Sequence, residues 1–317
     1  MLSLPDFRAK QILFIESQQL KEIAFHNENL TIKQAGKVVQ RVPFQKIFTI
    51  FVRGNCTLTS VFIQKCIKYG ICLLLLQKNF SVYTVIGGET EGNFLLREKQ
   101  YTRGNDLGQA KWLIQNKMAN QIALLKKIRK KTAREKAAIK MLQTLQSKIT
   151  KVANPKALLG LEGNAAKVFF AVYFRDFNWY ARAPRTKCDP INVLLDLGYT
   201  YLFYFIDAHL RLYGFDTYKG FYHTAFYQRK SLTCDLVEPL RCLIDQALRK
   251  AHHLGQFDPQ DFQMCKNQFQ LKKGQGKKYT KIFLAVIMHH KAEIFLYLQS
   301  YYRKIMKGEN DFPRFTI

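Results

Sequence analysis

Between Asp106 and about Thr150 the chain has no proline and, after Gly108, no glycine. Such an interval cannot be cut into short, turn-bounded strands. It predicts a pair of long helices, with Asn105 or Asp106 as the first N-cap. Upstream the pattern is different. Residues 12–15, 29–33, 38–42, 46–52 and 82–85 are β-rich runs separated by turn residues such as Ala35-Gly36, Arg53-Gly54-Asn55 and Gly87-Gly88. One helix interrupts them, because Val61, Phe62, Cys66 and Ile67 fall at helical spacing and Gly70 follows as a stop. The continuous apolar run 71–76 after it reads as a strand buried on both faces.

Downstream of residue 150, apolar residues recur at three and four spacing in 158–174, 190–213, 231–254 and 279–307, and Gln270 to Lys281 reads as a basic loop. No repeat is visible. The fold class expected is therefore α+β: a small N-terminal β-rich domain (residues 1–104) followed by a larger all-α domain (residues 105–317). A length of 317 residues suits two such cores.

Charge divides along the same line. Of the formal net charge of +27, residues 1–105 carry +7 and residues 106–317 carry +20. From Lys111 to Lys151 there are twelve basic residues and one acid, Glu135. Solvated helical faces normally mix signs to gain i,i+4 pairs, so a near one-sign run points to a polyanion. Nucleic acid is the first partner to consider, held partly by counterion release. At 48% apolar and 14% aromatic residues the chain also buries a real core, which excludes a disordered basic tail.

Seven scattered cysteines, without a C-x-x-C pair, read as buried thiols of a reducing compartment. The start lacks a signal-peptide pattern, and no apolar stretch approaches the roughly 18–20 residues of a membrane span. A cytoplasmic protein without a membrane partner is expected.

Familiar catalytic signatures are absent: there is no P-loop, no G-x-G-x-x-G after a strand, no G-x-S-x-G and no H-E-x-x-H. What remains is a set of isolated acids and a histidine at helix edges. Glu162 lies between Gly160 and Gly163 just before an apolar run. An acid in a first helical turn complements the macrodipole, but one between glycines is also open to a ligand. His223 lies in a turn region. Ser231 can cap the following helix, which sets Asp235 and Glu238 at i and i+3 on one face. Arg241 would turn the pair into a plain surface ladder, and a bound divalent cation is the competing answer.

The ordered segments Leu159-Gly160-Leu161-Glu162-Gly163-Asn164-Ala165-Ala166, Asp189-Pro190-Ile191-Asn192-Val193-Leu194-Leu195, Gly220-Phe221-Tyr222-His223 and Ser231 to Arg241 resemble the motif set of the CRISPR-associated integrase family, the "Cas one" proteins. The resemblance extends upstream through residues 41–76 and Gln100-Tyr101. It is weakest over the first 30 residues and beyond about residue 255. Tyr222 and Leu240 depart from commoner family residues, without removing a ligand.

The resemblance implies a small β-rich dimerisation domain and a larger helical catalytic domain. It also implies a metal-dependent DNA endonuclease and integrase of CRISPR adaptation, in which a 3′-hydroxyl of a short captured fragment attacks a phosphodiester at a repeat boundary. Glu162, His223 and Glu238 would hold Mg²⁺ or Mn²⁺, with Asp235 as a catalytic auxiliary, and a donor set of carboxylates with one imidazole suits those ions. Arg182, Arg185 and Lys187 would flank the reacting phosphates, while Lys126, Lys130 and Lys277 would grip duplex DNA. Expected partners are double-stranded DNA, a second copy of the chain or a higher assembly, and the small bridging "Cas two" protein. Two readings stay open beside it: a structure-selective repair nuclease with the same ligands, and a non-catalytic nucleic-acid scaffold.

Overall fold

The computed structural model describes residues 2–90, 92–177, 179–184, 186–223, 227–308 and 312–317. A short helix α1 (Leu4–Arg8) leads into strands β1 (Gln11–His26), β2 (Asn29–Gln34), β3 (Lys37–Pro43) and β4 (Ile47–Leu58). Helix α2 (Ser60–Lys68) then crosses to β5 (Cys72–Leu76), which turns back into β6 (Val82–Ile86). The six strands form one sheet in the order β3-β2-β1-β4-β5-β6, in which β4 pairs in parallel with both β1 and β5.

Strand β1 is far longer than the apolar run at 12–15. Its first half pairs with β4, and its second half also pairs antiparallel with β2, so sheet pairing extends it through polar residues. The pairing shifts register between Ser17 and Lys21, opposite Gly54. A Cβ on Gly54 would stand 2.1 Å from the Ser17 carbonyl oxygen, and its φ is +102°, so only glycine fits this crossing.

The sheet is covered on both faces. On one, α2 lays Phe62 and Cys66 against Phe44, Ile50, Val52 and Leu73. On the other, Phe48 and Phe51 pack against aromatic residues of the helical part, Phe48 with Phe205 and His209 and Phe51 with Tyr201. Each fully buried large side chain contributes about 1.5–3 kcal/mol. One buried cluster thus runs from the sheet into the helices, and a second fills the α2 face of the sheet.

The helical part comprises α3 (Phe94–Thr102), α4 (Leu107–Lys126), α5 (Ala133–Lys148), α6 (Pro155–Tyr173), α7 (Pro190–Tyr213), α8 (Ser231–Val237), α9 (Arg241–His253), α10 (Gly276–His289) and α11 (Lys291–Lys307). The long pair expected after residue 105 is α4 and α5. Asp106 caps α4, and Thr132 with Glu135 forms a capping box on α5. That box explains the one acid of the basic run: Glu135 is buried, serves the cap and pairs with Arg175 at 3.3 Å.

Several local expectations are corrected. Helix α6 starts at Pro155, capped by Asn154, so Glu162 lies inside it and not in its first turn. Ser231 is the first residue of α8 and does not cap it. The stretch read as a helix from 279 onward breaks at His290 into α10 and α11. The supposed basic loop is half regular: a hairpin of β7 (Phe262–Cys265) and β8 (Gln268–Leu271) precedes a short turn, and α10 already begins at Gly276. Gly276 imitates a loop signal for a packing reason, because the Phe80 ring lies 2.1 Å from where its Cβ would be. Cysteines 66, 72 and 242 are buried as expected, but Cys188 and Cys265 are exposed. No single described helix is long and apolar enough to cross a membrane.

Candidate metal centre and nucleic-acid interface

The site is assembled around one carboxylate, Asp235 of α8. It is fully buried and accepts four hydrogen bonds: Oδ2 from the backbone N–H of Phe221 (2.7 Å) and Tyr222 (3.1 Å), Oδ1 from the N–H of His223 (2.9 Å) and from its ring Nδ1 (2.6 Å). The loop reaches the carboxylate because position 220 is glycine; a Cβ there would lie 2.6 Å from Oδ2. Helix α3 holds the same loop from its other side. Gln100 donates to the carbonyls of Asp216 and Lys219, and the Tyr101 hydroxyl donates to Asp216. With Nδ1 donating to Asp235, the imidazole of His223 keeps the lone pair of Nε2 for another partner, the arrangement found behind metal-ligating histidines.

Beside this loop, α6 and the turn between α8 and α9 bring Glu162 and Glu238 to one ammonium. Lys117 of α4 lies 2.6 Å from Glu162 Oε1 and 2.7 Å from Glu238 Oε2. The other oxygen of Glu162 accepts from the Tyr222 hydroxyl at 2.6 Å, and that of Glu238 from Arg241 Nε at 3.0 Å. Arg241 in turn lies over the ring of Tyr199. Burial alone would raise the Glu238 carboxyl, but Arg241 and Lys117 overrule it and hold it down to about 2. For Lys117, burial acts to lower the ammonium, and the two glutamates keep it well above the ordinary lysine range. Burial and Glu162 push the Tyr222 phenol up. The Asp235–Glu238–Arg241 series is therefore no surface ladder. Asp235 and Glu238 are both buried and serve different partners.

The family model described as CRISPR associated protein Cas1 matches residues 13–284. The chain belongs to the Cas1 family. It is 32% identical over 261 residues to a CRISPR-associated endonuclease Cas1 of Thermodesulfovibrio yellowstonii, covering 78% of this chain and 82% of that protein. Among solved structures it resembles a casposase bound to integration product, with a TM-score of 0.78 at 20% identity over 95% of this chain and 92% of that one. It also resembles a chain of a Cas6-RT-Cas1–Cas2 complex, with a TM-score of 0.81 at 20% identity; there it covers 96% of this chain and 36% of the other. These likenesses bear out the α+β reading of a strand-rich N-terminal part and a mostly helical remainder.

The structure brings Glu162, His223, Asp235 and Glu238 into one neighbourhood. Among the described residues, however, no three His, Cys, Asp or Glu side chains converge at metal-ligating distance, because Lys117 stands between the glutamates and Asp235 is consumed by the His223 loop. The donor chemistry fits a divalent cation nonetheless: Glu162 and Glu238 share one positive partner, and His223 is turned by Asp235.

The basic residues separate into two groups. Arg182 is committed to α7, bonding Asn192 and Asp196, and Lys187 holds β8 through its carbonyl. Arg185 lies outside the described residues. Lys126, Lys130 and Lys277 are exposed. Near them the end of α4, with α9 and α10, walls a cleft of about 1530 Å³, lined by Lys127, Arg129, Lys250 and Lys281 and, among the described residues, by no acidic side chain.

Sequence reasoning missed Lys117 and the Tyr222 hydroxyl. Lys117 was hidden in the basic run, yet it falls in phase with Ala110, Leu113, Ile114 and Gln121, on the buried stripe of α4. A lysine on an apolar stripe was the available signal.

Proposed function

We propose that this chain is a metal-dependent DNA endonuclease and integrase of CRISPR adaptation, and that Glu162, Glu238 and His223 are its metal ligands, for Mg²⁺ or Mn²⁺. The observation that carries this reading is the convergence of Glu162 and Glu238 on a single positive centre, beside an imidazole whose ring Nδ1 is fixed by a buried aspartate. A divalent cation bound there supplies charge neutralisation for a phosphodiester and for the oxygens that enter and leave it.

The chain's own residues do the rest. Asp235 orients His223 and closes the Phe221–His223 loop around itself. Arg241 keeps Glu238 ionised from the side away from Lys117. Lys126, Lys130, Lys277 and the basic cleft of α4, α9 and α10 hold the DNA backbone and position it without reading sequence. In strand transfer, a DNA 3′-hydroxyl loses its proton and forms a new P–O bond, while the target's bridging P–O bond breaks and its oxygen leaves as a new 3′-hydroxyl. No protein nucleophile takes part. The likeness to a casposase bound to integration product supports joining over hydrolysis alone.

Two attack points on one target call for two active sites, so we assign the chain to a homodimer or higher assembly built through its sheet. Edge strand β3 supports this, since Val38 and Val39 stand exposed on it, Val39 at 54%. A bridging Cas2 partner is supported by the likeness to a chain of a Cas1–Cas2 complex.

The test is incubation of a short duplex with free 3′-hydroxyls and a supercoiled repeat plasmid, with and without Mn²⁺. Joined DNA is expected. It should disappear in Glu162→Ala and His223→Ala, with DNA affinity largely kept. Hydrolysed ends without joined product would identify a nuclease, DNA bound by the wild type but neither joined nor cut would leave only a scaffold, and joining unchanged in both variants would put the metal ligands elsewhere.

A further inference from the structure

The ammonium of Lys117 bonds the same two carboxylates that the proposed function gives to a divalent cation, and both side chains are largely buried, 11% and 6% exposed. Lys117 is no surface rotamer that happens to reach them. It projects from the middle of α4, between the buried Ile114 and Gln121, and the same helix is pinned by Asn120 donating to the carbonyl of Pro239, next to Glu238. Arg241 occupies the opposite oxygen of Glu238. Of the two cations at Glu238 among the described residues, Lys117 also bonds Glu162 and so bridges the pair.

We propose that Lys117 is a built-in competitor of the divalent cation. Its ammonium holds Glu162 and Glu238 together while no metal is bound, and it withdraws from them when a cation binds. The ligand pair thereby stays assembled without metal, at the cost of a weaker apparent metal affinity than the bare carboxylates would have. This rests on the metal-site reading above. Like charges a few ångströms apart interact strongly at the effective dielectric of a partly buried site, so losing the ammonium should tighten cation binding by about tenfold or more. A purely structural ion pair predicts the opposite, since its loss would disorder the carboxylates and weaken the site.

The experiment is calorimetric titration of the full chain with Mn²⁺ for the wild type, Lys117→Gln, Lys117→Arg and Glu162→Gln. Lys117→Gln should bind Mn²⁺ at least about tenfold more tightly, melt lower than wild type without metal, and recover most of that loss with Mn²⁺. Lys117→Arg, which keeps the charge, should bind no more tightly than wild type. Equal or weaker Mn²⁺ binding by Lys117→Gln overturns the proposal. Glu162→Gln separates the two levels: if it binds Mn²⁺ as wild type does, the metal site itself is misplaced, whereas if it loses the site and Lys117→Gln shows no gain, only the competitor role fails. Should Lys117→Gln not fold, the wild type still answers through acetylation of Lys117 followed by mass spectrometry. Its rate should rise as Mn²⁺ saturates the site, and an unchanged rate refutes displacement.

Discussion

Asp235→Asn tests whether one buried carboxylate organises the site. All four of its partners are donors: the N–H groups of Phe221, Tyr222 and His223, and the His223 ring Nδ1. An amide offers one acceptor and one donor group. Whichever way it turns, an NH₂ must face two N–H donors that Oδ1 or Oδ2 now accepts. With the NH₂ at the Oδ2 position two hydrogen bonds to a charged group are lost, worth about 1.5–3 kcal/mol each, so destabilisation of roughly 3–6 kcal/mol is expected. Relaxation is hindered, because the Gly220 backbone already lies against Oδ2. If the amide instead turns its NH₂ to the imidazole, Nδ1 must present its lone pair and the proton moves to Nε2, which removes the free nitrogen. Thermal melting followed by circular dichroism should show a fall of about 5 °C or more. Mn²⁺ affinity should fall by about 10- to 100-fold, as for other partners of metal-ligating histidines. A variant melting within about 1 °C of wild type with full Mn²⁺ affinity would refute the idea that this carboxylate fixes the loop and the ring.

Gly160 and Gly163 lie inside α6, where each costs about 1 kcal/mol relative to alanine, yet a Cβ at either would meet nothing within 4 Å. Gly160→Ala and Gly163→Ala should therefore raise the melting temperature while weakening DNA joining, if the bare face flanking Glu162 is where a phosphate backbone approaches; joining unaffected would remove that role. Asp245 is buried and bonded by the Tyr199 hydroxyl, and burial, against Tyr199, Arg241 and Arg182, pushes its carboxyl up to about 7 from 3.8. Because the folded state then binds the proton more tightly than the unfolded one, stability from this group is greatest at low pH and is lost as pH rises between about 4 and 7. Urea midpoints of Asp245→Asn should gain on wild type across that window, and a constant difference would contradict the shift. Val39→Lys on strand β3 should lower the mass measured by light scattering to that of one chain; an unchanged assembly would place the contact elsewhere. Lys250→Glu with Lys281→Glu should weaken DNA binding and flatten its salt dependence, whereas an unaltered salt slope would take the cleft off the DNA path.

Where periodicity is enforced by burial, the sequence was legible. Helix α7 spans Pro190–Tyr213 as its apolar spacing says, with Asp189 as cap and Gly214 as a left-handed stop. Helix α2 and strand β5 likewise follow from an i,i+4 pair and a run buried on both faces. Legibility failed where tertiary partners override local signals. The start of α6 lies earlier than its apolar spacing says, at Pro155, which moves Glu162 out of the first turn, and Gly276 looks like a loop although its missing side chain makes room for Phe80. The polar half of β1 is a strand only because β2 and β4 lie beside it.

Positive charge has two uses in this molecule, and sign alone does not separate them. Lys126, Lys127 and Lys130, at and just beyond the end of α4, carry no ion pair among the described residues, which leaves them available to a mobile polyanion. Lys117, nine residues before Lys126 on the same helix, is spent inside the protein on two carboxylates. The difference is helical phase: positions 110, 113, 114, 117 and 121 face the core, so a charge among them has to meet a buried partner or forfeit its solvation. A count over the whole run therefore overstates the charge offered to DNA. It also hides the one lysine whose position identifies Glu162 and Glu238 as a pair, which the spacing of Asp235 and Glu238 along their own segment did not.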